Sequence, residues 1–162
     1  MRTAQLNSQA APTNYYRAFV MLQDIKAALA NEPWEEGDPA PTVPLALFFE
    51  GNDQEESIAP NQWGDGRPSL AEMYRRFKEI ALRDDVQTVI VGLHFDWNDD
   101  TFPNTWPPAE NIHIYSSAPQ EVADSWIEGL HSDGIGPGWP YGEPRNAPKP
   151  KRGFHVYTIY WD

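Results

Sequence analysis

Apolar positions recur every three or four residues through Tyr15, Phe19, Leu22, Ile25 (or Lys26 in the alternative phase) and Leu29, and this stripe predicts a helix over residues 14–30. Thr13 or Asn14 is placed to cap it, and the proline-bearing segment 31–44 ends it. Val43 to Phe49 is a short apolar run bounded by proline on one side and by Gly51 on the other, which reads as an interior strand. A polar loop over 50–67 follows, with Gly51, Pro60, Gly64 and Gly66.

The sharpest local signal comes next. Ser69 followed three residues later by Glu72 is a capping box, and Leu70, Met73, Tyr74, Phe77, Ile80 and Ala81 then line one face of a helix over 70–83. Its other face carries Glu72 with Arg76 and Arg75 with Glu79 at ion-pair spacing. Arg83–Asp85 turns the chain into Val86–Phe95, where Val89, Val91, Leu93 and Phe95 alternate with Thr88, Ile90, Gly92 and His94 as a strand requires. Residues 96–110 form a proline-rich loop, and 111–116 read as a further strand. Ser117 and Gln120 repeat the capping pattern before a helix that buries Val122, Ala123, Trp126, Ile127 and Leu130. Residues 131–152 are too rich in Gly and Pro for regular structure, and 154–161 alternates aromatic and β-branched residues as a last strand.

After the first helix the order is strand, helix, strand, strand, helix, strand. It predicts an α+β two-layer sandwich, specifically a ferredoxin-like βαββαβ plait with an additional N-terminal helix. Residues 1–12 read as a flexible tail and 13–162 as a single α+β domain. In such a plait the long loops 50–67, 94–110 and 131–152 meet at one edge of the sheet, where functional loops concentrate. One face of the sheet would stay open unless the first helix or a second subunit covers it, or RNA bases stack on its aromatics.

Charge narrows the partners. Twenty-four acidic against twelve basic side chains leave a net charge of -12, a field that repels nucleic-acid backbones and anionic lipid. The absence of cysteine excludes disulfides, thiolate metal sites and cysteine nucleophiles. No segment has signal-peptide or membrane-helix character, so a cytoplasmic location is the expectation.

Two sets of residues are candidates for function. Glu50, His94, Asp96, His131 and Asp133 fall near the long-loop edge. Two imidazoles among carboxylates there could act as acid and base, through His94, Asp96, His131 and Asp133, or with Glu50 hold a divalent metal ion. His113 and His155 read as sheet-face residues. Trp63, Trp97, Trp106, Trp139 and Tyr141 either plug the sheet end or form a recognition surface. The leading expectation is a non-catalytic binding or inhibitory module, without a cofactor, whose acidic, tryptophan-rich rim engages a basic protein partner. The alternatives are a small metal-dependent enzyme or ligand-binding protein at the same rim, and a homodimeric plait with a ligand against its sheet.

Overall fold

Leu22, Ile25 and Leu29 of the first helical stripe are buried as the periodicity demands, but Tyr15 and Phe19, one to two turns earlier, are exposed. The computed structural model describes residues 13–62, 64 and 66–161. The segment 1–12, read above as a tail, and Trp63 lie outside these. Helix α1 spans Thr13–Ala30, followed by β1 (Thr42–Pro44), α2 (Leu45–Phe49), α3 (Leu70–Ala81), β2 (Val86–Leu93), β3 (Ala109–Ser116), α4 (Gln120–Ser125), β4 (Gly134–Pro137) and β5 (His155–Tyr160). Among the described residues, no helix is long and apolar enough to cross a membrane.

The architecture is α+β, an antiparallel sheet with several helices, and in general terms it is consistent with a ferredoxin-like topology. The strand order departs from the interleaved plait. It runs β1-β2-β3-β5-β4, and every neighbouring pair is antiparallel. An interleaved plait needs its first strand between the third and the last, whereas here β3 pairs directly with β5 and β1 lies at an edge against β2.

The cause is local. Only Thr42–Pro44 of the expected first strand is extended; Pro44, with φ -57° and ψ 148°, stands at the N-cap of α2, and Leu-Ala-Leu-Phe-Phe, which has no β-branched residue, turns helical. Three residues are too few to hold the middle of a sheet. The other edge goes to Gly134–Pro137, a short strand inside the segment expected to be irregular.

Helix α3 forms largely as its sequence requires. The Ser69 side chain accepts from the Glu72 N–H at 3.1 Å, a cap worth about 1 kcal/mol. Glu55 Oε2 accepts the Leu70 N–H at 2.8 Å, so this member of the acidic run caps a helix rather than merely facing water. Arg75 pairs with both Glu72 and Glu79, while Arg76 donates to the carbonyls of Trp126 and Glu128 instead of pairing with Glu72. The second capping box does not form: Pro119 stands at the N-cap of α4 with no side-chain bond, and Gln120 binds Asp124. Ser116, one residue before Ser117, donates instead to the Asp85 carbonyl and accepts the Ala118 N–H.

The register sorts the sheet into two faces. Val89, Val91, Ile112, Ile114, Tyr157 and Ile159 pack with residues of α1, α2, α3 and α4 in the main core. Ile90, Tyr115 and Val156 form a smaller cluster on the other face, with Trp139 packed against it. His113 and Tyr115 therefore share a face with Val156 and Thr158, not with Tyr157 and Ile159.

The cover over that second face is not α1, whose buried residues belong to the main core. It is the Gly- and Pro-rich loop after β4. Trp139 rests on His113 and Tyr115 at ring-centroid distances of 4.5 and 6.1 Å, and the Tyr115 hydroxyl donates to the Pro148 carbonyl at 2.6 Å. Lys151 N–H and the Lys149 carbonyl bond the side chain of Gln87, near the start of β2. This loop thus shares a cavity with Asn61, His94 and Phe95 of the other two long loops through Pro140, Tyr141 and Gly142, and only then crosses to the start of β2.

Candidate functional site

The loops 50–67 and 94–110 are clamped together. Gln54 Nε2 donates to the Asn104 carbonyl, its Oε1 accepts the Trp106 N–H at 2.8 Å, and Ile58 bridges to Ala109. Gln62 donates to Asp133 at 2.5 Å, which ties the start of the third long segment to the same rim.

The predicted His/Asp residues land in different surroundings. His94 sits beside Asp96 (Nδ1 to Oδ2, 3.7 Å) and Glu110 (Nε2 to Oε2, 3.7 Å). His131 adopts a φ of +54° and stands next to Gly66, and Asp133 bonds Gln62. Glu50 accepts the Tyr74 hydroxyl at 3.1 Å, and burial, seconded by this bond, raises the Tyr74 pKa. Among the described residues, no group of three or more His, Asp or Glu side chains is arranged to hold a metal ion. The five-residue metal set does not come together, because β2 and the segment after α4 carry their histidines to separate contacts.

The predicted aromatic residues divide. Trp106 is 1% exposed and is a plug. Trp97 is half-buried and meets Trp34 edge-on, 5.4 Å between centroids and 83° between planes. Trp34 was missed in the sequence because it lies in a proline-rich connection with no periodicity. Together with Trp106 and Phe102 these rings line a cavity of about 460 Å³, whose remaining wall includes Glu32, Asp96, Asp99 and Asp100. The indole Nε1 atoms of Trp97 and Trp106 are buried and have no hydrogen-bond partner among the described residues. Lys26 closes one side by donating to the Pro103 carbonyl. Hydrogen bonds from Thr101 hold Asp99 below the usual carboxylate range, so it is ionised at neutral pH.

A second cavity, of about 380 Å³, lies on the far face of the sheet and is lined by Gly92, His94, Glu110, Asn111, His113 and Tyr141 among others. Gly92 is required there by space. A Cβ added to it would stand 2.5 Å from His113 Nε2 and 2.9 Å from Asn111 Cβ. Gly92→Ala is therefore expected to cost about 1–3 kcal/mol, the usual penalty of overpacking. Urea denaturation would measure it, and an unchanged midpoint would mean that the imidazole has room to move.

Comparison with known proteins adds a family. The sequence pattern of the family described as "Uncharacterized protein YfbO family" matches residues 21–159. The chain is similar to a protein of Escherichia coli (strain K12) described as "Uncharacterized protein YfbO". The two are 28% identical over 125 residues, which cover 76% of this chain and 84% of that protein. No solved structure matches the chain.

Proposed function

The chain belongs to the YfbO family, and we propose that it acts as a non-catalytic binding module, engaging a basic protein partner through the acidic, tryptophan-rich cavity at the loop rim. One observation carries the reading: the aromatic walls of Trp34, Trp97, Trp106 and Phe102 meet the carboxylates of Glu32, Asp96, Asp99 and Asp100 in one concave site.

Each component suits a basic peptide. Aromatic rings that line the cavity attract a guanidinium or ammonium group to whichever face is open to it, worth about 0.5–2 kcal/mol. The carboxylates add long-range attraction and accelerate encounter in a molecule of net charge -12.

The test is binding of a short arginine-containing peptide and of its citrulline analogue, followed by tryptophan fluorescence at low and moderate salt. The arginine peptide is expected to bind more tightly by about 3- to 30-fold, the worth of the cation contacts. Added salt and the Asp99→Asn/Asp100→Asn double substitution should each shrink that difference. Equal binding of the two peptides would sink the reading.

A further inference from the structure

The second cavity holds a polar group whose protonation is set by its neighbours. His113 is 3% exposed, and its Nδ1 lies 2.7 Å from Thr158 Oγ1. The Thr158 hydroxyl has a single proton, and it donates that proton to the Gly138 carbonyl at 2.6 Å. Thr158 Oγ1 must therefore accept from His113, which places the imidazole proton on Nδ1 and leaves Nε2 with a lone pair. Nε2 has no hydrogen-bond partner among the described residues, and it stands on the side where Gly92 lacks a Cβ. Gly92 and His113 both line the cavity, where the glycine lets the imidazole pack close over its backbone and a larger residue would push the ring away.

His94 has the opposite tautomer. The Asp96 N–H donates to its Nδ1 at 3.2 Å, so in the neutral ring the proton sits on Nε2, 3.7 Å from Glu110 Oε2. That separation is too long for a hydrogen bond. Asn111 spends its Nδ2 on the Glu110 carbonyl, which leaves its Oδ1 as an acceptor. The cavity thus combines acceptors at His113, Glu110 and Asn111 with a donor at His94. At its mouth Tyr141 and Phe95 are exposed, 50% and 73%, and supply aromatic surface.

We infer that this cavity is a binding site for a small, neutral, polyhydroxylated molecule of the monosaccharide or cyclic polyol class, with the His113 Nε2 lone pair accepting a ligand hydroxyl and Tyr141 packing on the ring. Hydroxyl groups both donate and accept, so they match the mixed set of groups around the cavity. A neutral ligand suits a site whose two imidazoles are buried in the uncharged form, and an anion is disfavoured by Glu110 and by the charge of the whole chain. The volume is that of a small-molecule site. The ligand lies against the sheet and under the loop after β4, on the face opposite α3, so the inference does not depend on the peptide-binding proposal.

The experiment is NMR titration of the full chain with D-glucose, D-galactose, myo-inositol, adenosine and glucose 6-phosphate, following the imidazole nitrogens and the backbone amides. The free protein should show His113 protonated at Nδ1. At least one of the three neutral polyols should then shift the His113 Nε2 resonance with a dissociation constant of about 1 mM or tighter. Tyr141→Ala, at an exposed position that leaves the core intact, should weaken that binding by about three- to tenfold, the worth of one aromatic contact. The proposal is overturned by a proton found on His113 Nε2, by no response of that resonance to any polyol, by response only to adenosine or the phosphate, or by unchanged affinity in the Tyr141 variant.

Discussion

Trp106→Ala is expected to lower the unfolding free energy by about 3–5 kcal/mol, the range for deleting a fully buried large aromatic ring. In a chain of this size that corresponds to a fall of roughly 6–20 °C in the melting temperature. The indole is 1% exposed and belongs to the main core, while its backbone N–H is held by Gln54 across the joint between two long loops. Its loss leaves a void where the loops 50–67 and 94–110 meet the end of the sheet. Trp106→Phe keeps much of the buried area and should cost clearly less, and calorimetry of the two variants checks both. A cost for the alanine variant below about 1 kcal/mol would remove the plug assignment.

Acid should destabilise the protein through His113. Burial pushes this imidazole down to about 3 from its ordinary 6.5, and burial also lowers His94, with the Asp96 charge opposing the shift. Between those two values the unfolded chain carries a proton on His113 that the folded chain lacks, so stability rises with pH across that window and is lost as the pH falls below about 6.5. The slope approaches about 1.4 kcal/mol per pH unit for this group alone, and the loss totals about 5 kcal/mol by pH 3. Carboxylates held low by their partners, among them Asp38 through Arg145 and Asp85 through Arg83, add to the loss only in the more acidic part. The range from roughly pH 4.5 to 6.5 therefore isolates the histidines. Denaturant titrations at several pH values should show a shallower slope in that range for His113→Asn than for the parent chain. An identical slope would mean that the imidazole titrates normally in the folded state.

Position in sequence explains what could be foreseen of the two cavities. His94, Asp96, Trp97 and Trp106 stand out because they lie at the end of a strong strand pattern or in a proline-rich loop where aromatic residues are conspicuous. His113 does not, since a histidine within an alternating strand looks like any sheet-face residue. Its meaning comes from three contacts distant in sequence: Gly92 one strand away, Thr158 on the other side, and Gly138 beyond Thr158. The proposed set of Glu50, His94, Asp96, His131 and Asp133 shows the reverse case. His94 and Asp96 lie side by side, but Glu50 bonds Tyr74 and Asp133 bonds Gln62, and among the described residues no three such groups are arranged to hold a metal ion.

What the amino-acid order determined by itself was much of what depends on near neighbours, though not the second capping box or the state of Leu45–Phe49. The buried faces of α1 and α3, the Ser69 cap, the alternation of β2, β3 and β5 and the α+β class all follow from spacings of two to four residues, because side-chain direction in helices and strands repeats over those distances. Tertiary structure decided the strand order, the pairing of Gly134–Pro137 and the closure of the second sheet face by the loop bearing Trp139. Those outcomes turn on which edges pair and what covers each face. Such choices are settled by competition among contacts many residues apart, where local patterns favour several answers nearly equally.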